Sequence, residues 1–205
     1  MEELKNDLEQ VIENTFDILR SGCSKTRLVF PTYSNGKRRV CEQELRFMFV
    51  EQLQPILQKY NLYYSVETPT IDGYIFSEKR KYVEPHTSSK GQSASFDLTI
   101  KDSNGNNVVI VEFKAKNAHQ HEYAKDIYKL WNSKEVAKYK YFINLFEKIE
   151  KKTEKSFRSK LLPKDPNESN QKVTNEYLLP KESSEQIIVY AQSLRENDKE
   201  IKLTI

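Results

Sequence analysis

Two strand-like segments joined by a turn constrain the fold more than any other feature of the chain. Residues 95–101, SFDLTIK, alternate in the manner of a half-buried β-strand, and their predicted apolar face is formed by Phe96, Leu98 and Ile100. Residues 108–114, VVIVEFK, are a continuous apolar run that ends in charged residues. The intervening DSNGNN is rich in turn-forming residues. We therefore expect the two strands to pair antiparallel in one sheet.

The charged end of the second strand predicts a site. Alternation places Glu112 and Lys114 on one face and directs Phe113 into the core. Asp97, on the neighbouring strand, is expected to meet Glu112 across the sheet, where facing side chains lie about 5 Å apart. Two carboxylates that close repel each other unless a cation lies between them, and Mg²⁺ prefers oxygen ligands.

The pattern therefore predicts a metal site. Asp97 and Glu112 are its expected ligands, the backbone carbonyl of Phe113 is a further one, and Lys114 is expected to stabilise charge on a reacting phosphate. The alternative is a solvent-facing pair of Glu112 and Lys114. The apolar residues before them favour a central strand, where buried charges need partners.

Helical and strand periodicities alternate along the rest of the chain. Helices are predicted at 2–20, at 41–60 with Pro55 kinking or ending the helix, at 118–139 and at 151–163. Further strands are predicted at 62–70, 73–78, 139–146, 186–194 and 201–205. The polar segments 79–94 and 163–185 are predicted to be a loop and an irregular excursion. The expected fold is a mixed α/β domain with a central sheet of about five strands flanked by helices.

Composition limits the classes of function. The chain has 205 residues, enough for one domain, and its formal net charge of +3 argues against a histone-like binder of polyanions. Cys23 and Cys41 lack the spacing of a zinc site or a disulfide framework. No run approaches the roughly 20 apolar residues of a membrane span, and the N-terminus lacks the pattern of a signal peptide. We expect a cytoplasmic protein with no membrane partner.

Asp97 followed by Glu112-Phe113-Lys114 resembles the pattern of the PD-(D/E)xK superfamily of restriction-endonuclease-like nucleases. In that superfamily an aspartate on one strand precedes (Asp/Glu)-x-Lys on the next. The resemblance covers roughly residues 40–145, within a predicted single domain 1–205 that adds the helix 2–20 and a C-terminal extension, 146–205. Two departures stand out: Phe96 occupies the position of the superfamily's proline, and Gln120 and Tyr123 do not form the Gln-x-x-x-Tyr motif of some branches.

The resemblance implies an endonuclease dependent on Mg²⁺ or Mn²⁺ that hydrolyses phosphodiester bonds, with DNA favoured over RNA, in a defence or mobile-element context. Glu44 on the first core helix matches the additional metal-binding glutamate of many members. Its alternative role is a surface salt bridge of about 0–1 kcal/mol with a nearby arginine. Contacts to nucleic acid are expected from Arg46, Lys90, Gln92, Lys116 and Lys125. Lys116 follows Lys114 by two residues, on the same predicted face.

Two other functions stay open from the sequence. The nuclease fold can serve as a catalytically inactive module that binds nucleic acid or a protein partner, because fold does not dictate function. The chain can also be a structural or interaction protein whose helices, 2–20 and 42–59, form an oligomer surface. A homodimer is compatible with each of these functions.

Overall fold

A seven-stranded mixed sheet with helices on both faces forms the framework of the molecule. The computed structural model describes residues 2–21, 25–78, 81–161, 186–195 and 197–205. The described helices are α1 Glu2–Ser21, α2 Glu42–Tyr60, α3 Gln120–Trp131 and α4 Lys151–Leu161. The described strands are β1 Tyr63–Glu78, β2 Lys81–Thr87, β3 Gln92–Lys101, β4 Asn107–Ala115, β5 Tyr139–Phe146, β6 Ile187–Ser193 and β7 Ile201–Thr204. The mixed α/β class agrees with the prediction, whereas the predicted number of strands, about five, is too low.

The strands lie in the order β2-β1-β3-β4-β5-β6-β7. Strands β4, β5 and β6 are mutually parallel, and every other neighbouring pair is antiparallel. The predicted hairpin between β3 and β4 is confirmed, and Asp102 holds its turn by accepting hydrogen bonds from the backbone N–H groups of Asn104 and Asn106. The continuous apolar run in β4 follows from its central position, because a strand covered on both faces has no solvent-facing side.

Two apolar cores lie on opposite faces of the sheet. Helices α1 and α2 pack on one face, against Val109, Val111 and Phe113 of β4. Helices α3 and α4 pack on the other face, against Ile110 of the same strand. Phe113 is fully buried, as predicted, and the α3 face of β4 carries both Glu112 and Lys114. The predicted alternation along β4 is therefore confirmed.

Strand β3 departs from regular alternation at Asp97. Leu98 and Ile100 belong to the core under α1 and α2, whereas Phe96 belongs to the core under α3 and α4. The prediction that all three share one face is therefore wrong. The pairing of β3 with β4 ends at Leu98 opposite Val111, and beyond this point the two strands separate.

The β1–β2 region also differs from its prediction. Segments 62–70 and 73–78, predicted as separate strands, form one strand, β1, with a bulge between Pro69 and Gly73. The carboxylate of Glu135, which is 1% exposed, accepts hydrogen bonds from the N–H groups of Ile71 and Asp72 and so satisfies the donors of the bulge. That partner is distant in the sequence, so local turn signals could not reveal it.

The predicted loop 79–94 contains strand β2 and the beginning of β3. Strand β2 lies at the edge of the sheet and contains Pro85, a residue that edge strands tolerate. Its pairing comes from the backbone rather than from an apolar pattern, so periodicity misses it. The predicted excursion 163–185 lies outside the described residues.

The four described helices match their predictions except at two points. Helix α2 ends at Tyr60, as predicted, but does not end at Pro55. Helix α3 ends at Trp131 instead of residue 139. Strands β6 and β7 of the C-terminal extension complete one edge of the sheet. None of the described helices is long and apolar enough to cross a membrane.

Candidate functional site

A connected network of eight ionisable side chains lies where β3 and β4 separate. Five of them are carboxylates and three are cations, so the network has a formal charge of −2 when all are ionised. Strands contribute four members and helices four: Glu67 from β1, Asp97 from β3, Glu112 and Lys114 from β4, Glu42 and Arg46 from α2, and Asp126 and Lys129 from α3. The first turn of α2 and the middle of α3 therefore meet at one end of the sheet.

At this opening the side chain of Asp97 replaces a backbone carbonyl as hydrogen-bond acceptor. Its Oδ2 atom accepts a hydrogen bond from the N–H of Phe113 at 2.7 Å. Asp97 lies one residue, and Phe113 two residues, past the last β3–β4 pair of Leu98 and Val111. Its Oδ1 atom accepts a hydrogen bond from Arg46 at 3.1 Å. Arg46 also lies 2.7 Å from Glu67, through its other terminal guanidinium nitrogen. The carboxylate of Asp97 is thus oriented by two strands and a helix.

Glu112 forms a buried ion pair with Lys129. The two residues are each 2% exposed, and Lys129 donates hydrogen bonds to Oε1 of Glu112 and, at 2.8 Å, to the carbonyl of Ser95. Lys129 also lies 3.2 Å from Asp126. Burial raises the pKa of Glu112 well above its usual range, although the Lys129 ammonium opposes this shift. The ammonium of Lys129 therefore lies between the carboxylates of Glu112 and Asp126.

Lys114 is held between α2 and α3. Its Nζ atom lies 2.7 Å from Oδ2 of Asp126 and 3.7 Å from Oε2 of Glu42, and its side chain is 18% exposed. Burial alone would lower the pKa of Lys114, but the charges of Asp126 and Glu42 outweigh it and raise that pKa above its usual value. Lys114 is therefore a fixed positive charge at the edge of the solvent.

The α2 carboxylate that meets the β3 and β4 residues is Glu42. Burial raises the pKa of Glu42, and Asp97 and Asp126 add to the rise. Glu44 lies two residues on, roughly 200° around the helix, where its Oε1 atom accepts a hydrogen bond from Arg39 at 2.7 Å. Burial opposes ionisation of Glu44, yet hydrogen bonds, first of all the one from Arg39, leave its pKa below the usual range. The structure thus brings Glu42 to Asp97 and Lys114 and directs Glu44 elsewhere.

The residues predicted to contact nucleic acid separate into three groups. Arg46 belongs to the ionic network, and Lys90, Gln92 and Lys125 line one groove of about 460 Å³ beside it. Lys116 is exposed and has a φ of +66°, beyond the end of β4 at Ala115, so strand alternation does not extend from Lys114 to it. The role predicted for the Phe113 carbonyl stays a prediction.

Sequence reasoning missed four members of the network: Glu42, Glu67, Asp126 and Lys129. Asp126 had a usable signal. It lies three residues after Tyr123 and four before Leu130, which places a carboxylate on the apolar face of α3. A charged residue in that position needs a buried partner, and Lys114 and Lys129 provide it. Glu67 had no such signal, because only the register of β1 against β3 brings it near Arg46.

Strained backbone flanks the network. Among the described residues, three other than glycine have positive φ, namely Asn61, Glu67 and Lys116. Asn61 ends helix α2, a usual place for this conformation. Glu67 lies opposite Asp97 in the β1–β3 register, and Lys116 follows Lys114 at the end of β4. Such strain costs of order 1–3 kcal/mol per residue and tends to cluster at functional sites.

The donor atoms of the network suit a hard cation. The described part of the chain has no group of three or more His, Cys, Asp or Glu side chains arranged to hold a metal ion. Mg²⁺ usually takes one or two carboxylates and completes its octahedron with water and phosphate oxygens. Asp97 and Glu112 are carboxylates of the type that such an ion takes, and a metal site at these two residues stays a prediction.

Comparison of the chain with protein-family models, with curated proteins and with solved structures finds no match. Any function assigned to the chain therefore depends on its own residues and their geometry.

Proposed function

We propose that the chain is an endonuclease of restriction-endonuclease-like type that hydrolyses phosphodiester bonds with Mg²⁺ or Mn²⁺, with DNA favoured over RNA. One observation carries the proposal: the negatively charged network at the opening between β3 and β4 combines Asp97, Glu112 and Lys114. These are the residue types and the strand order of the PD-(D/E)xK pattern. When all eight groups are ionised, the formal charge of −2 is the charge that a divalent cation would balance.

Asp97 and Glu112 would hold the metal, with Glu42 in the supporting role that the resemblance implied for Glu44. The bound cation would polarise the phosphate and lower the pKa of a coordinated water. Lys114 would place its positive charge on the reacting phosphate group, where negative charge increases in the transition state.

The remaining residues of the network act by positioning. Asp126 holds Lys114 at 2.7 Å, and Arg46 holds Asp97 at 3.1 Å, so each reacting group is oriented by an oppositely charged partner. Such partners of a metal site typically alter metal affinity or activity by about 10- to 100-fold when mutated. A defence or mobile-element context stays a prediction from the resemblance alone.

A second candidate function is a catalytically inactive module that binds nucleic acid. The ion pair between Glu112 and Lys129 favours it, because a buried carboxylate already has a cation partner. Both oxygens of Asp97 also have protein partners. Asp97 and Glu112 therefore have protein partners without a metal.

The test is a cleavage assay on plasmid, single-stranded DNA and RNA with Mg²⁺, Mn²⁺ or EDTA. Wild type is compared with Lys114→Ala and Asp97→Asn. The matched control is Lys138→Ala, an exposed lysine just before β5, at the end of the sheet where Tyr139 pairs with Val109. Thermal unfolding with and without Mg²⁺ is measured on the same proteins, because a ligand that binds only the folded state raises its stability.

Metal-dependent cleavage that is lost in Lys114→Ala and Asp97→Asn but retained in Lys138→Ala would support the nuclease. Cleavage that survives both site substitutions would overturn it. Binding of nucleic acid without cleavage of any substrate, and without stabilisation by Mg²⁺, would favour the inactive module.

A further inference from the structure

An open groove runs from Lys114 along the β1 side of α3. Its inner part, about 240 Å³, is lined by apolar side chains of β1 and β2 and by polar side chains of α3, and it reaches Lys114. Its outer part, about 460 Å³, reaches Lys90 and Gln92 in the turn before β3 and at its beginning. Both parts share Phe76 and Lys125, so they adjoin. We call the two parts together the Phe76 groove.

The inner part has an apolar wall beside cations. Phe76, Val83 and Pro85 form the wall, and none of the three is fully exposed to solvent. The Phe76 ring stacks on Tyr74, with centroids 5.6 Å apart and planes 6° apart, which fixes its orientation. The Lys125 ammonium lies 5.3 Å from the centre of the Phe76 ring. An oriented ring with a neighbouring ammonium is the combination that binds a base and its phosphate.

The outer part of the groove is lined by two lysines, Lys90 and Lys125. Gly73 and Gly91 contact each other closely: a Cβ atom on Gly91 would lie 2.6 Å from the backbone nitrogen of Tyr74. This contact brings the turn that holds Lys90 against β1, on the same side as Lys125. Among the side chains that the structure describes, no carboxylate lies within ion-pairing distance of Lys90 or Lys125. The groove therefore offers the ammonium groups of Lys90 and Lys125 to phosphate, and the carboxylates of Glu122 and Asp126 line its inner part.

We propose that the Phe76 groove binds a single nucleic-acid strand, with one unpaired base against Phe76 and the flanking phosphates at Lys125 and Lys90. This assignment rests on the proposed function, since the inner part of the groove reaches Lys114. A duplex keeps its bases stacked inside and presents mainly phosphate and sugar, and these polar groups do not pack against an apolar wall. The inner part, below the roughly 300 Å³ of the smallest drug-sized pockets, suits one base.

The test measures binding in EDTA, so that it does not depend on catalysis. The probes are a fluorescein-labelled DNA strand of about 12 nucleotides and the corresponding duplex, followed by fluorescence anisotropy at one fixed salt concentration. The variants are Phe76→Leu, which keeps apolar bulk but removes the ring, Phe76→Ala and Lys125→Ala. One matched control is Tyr63→Ala, an exposed aromatic at the other end of β1. The other is Lys138→Ala, whose ammonium lies 5.0 Å from the centre of the Tyr139 ring at the beginning of β5.

Wild type is expected to bind the single strand more tightly than the duplex. Phe76→Leu and Lys125→Ala are each expected to weaken single-strand binding by about fivefold or more, as the loss of one base-stacking contact does. The two control variants are expected to bind as wild type does. Single-strand affinity that is unchanged in Phe76→Leu and in Phe76→Ala would overturn the inference, as would tighter binding of the duplex by wild type.

The two proposals fail separately. Metal-dependent cleavage that requires Lys114, together with unchanged strand binding in the Phe76 variants, would refute the groove and leave the nuclease standing. Weakened strand binding in the Phe76 variants, together with no cleavage under any metal condition, would support the groove and refute the nuclease.

Discussion

Lys129 of α3 is the buried counter-ion of Glu112 on β4. Both side chains are almost completely removed from solvent, with 3% and 2% of their surfaces exposed, and Asp126 is the second carboxylate of the same lysine. A lysine at this position neutralises a carboxylate that the PD-(D/E)xK pattern would assign to a metal. Competition between the Lys129 ammonium and a metal ion for Glu112 can be measured.

Lys129→Met should destabilise the metal-free protein by about 3–5 kcal/mol, because it leaves a buried carboxylate without its partner. Mg²⁺ should restore more stability to this variant than to wild type, since the ion no longer competes with the ammonium. Urea unfolding in EDTA and in Mg²⁺ measures both effects. Lys125→Met, an exposed lysine on the same helix, is the control. Equal responses of wild type and Lys129→Met to Mg²⁺ would show that the ion does not reach Glu112.

The raised pKa of Glu112 predicts a pH dependence of stability. The folded protein holds the Glu112 proton more tightly than the unfolded chain, whose glutamates titrate near pH ~4.3. The carboxyl therefore contributes stability that is fully present below about pH 4.3 and is lost as pH rises through the folded pKa. Glu112→Gln removes this contribution.

In EDTA, the free energy of unfolding of wild type should increase relative to that of Glu112→Gln as pH falls from roughly 8 towards 5. Urea titrations of both proteins at several pH values give this difference. A difference that stays constant, or that falls with decreasing pH, contradicts the raised pKa.

Glu42 and Glu44 provide a matched pair of substitutions on one helix. Glu42→Gln should lower metal-dependent cleavage and Mg²⁺ affinity by about 10- to 100-fold, because Glu42 faces Lys114 and Asp97. Glu44→Gln should leave both unchanged, since its carboxylate is bound to Arg39. Circular dichroism checks that both variants are folded. The opposite order of effects would restore Glu44 to the role that the resemblance implied.

Glu135 supports the wall of the Phe76 groove by holding the bulge of β1. Its Oε1 atom accepts hydrogen bonds from the N–H groups of Ile71 and Asp72 and from the hydroxyl of Tyr74. Glu135→Ala should lower the free energy of unfolding by about 1–3 kcal/mol, because buried donors lose their acceptor. Glu135→Gln, which keeps a carbonyl oxygen, should cost less. Equal losses in the two variants would show that packing, rather than hydrogen bonding, explains the effect.

Much of the fold could be predicted because its signals are local. The alternation and the apolar run of the central hairpin, with the turn between them, determined that β3 and β4 pair and that Glu112 and Lys114 share a face. Helical spacing likewise determined α1 and most of α2. The edge strand β2 escaped prediction, because its hydrogen bonds come from the backbone of β1 rather than from an apolar pattern. The break in β3 at Asp97 escaped because it depends on a side chain that replaces a backbone acceptor.

The same division holds for the candidate site. The sequence by itself predicted that Asp97, Glu112 and Lys114 lie together, because they are placed by two adjacent strands, and the three belong to one ionic network. Only the tertiary structure decided which charges surround them. Glu42 rather than Glu44 faces Lys114 because of the way α2 is rotated against the sheet, and Lys129 reaches Glu112 because α3 packs across β4. Burial and ion pairing act between segments far apart in the sequence, so the partners of a charged residue depend on how those segments pack.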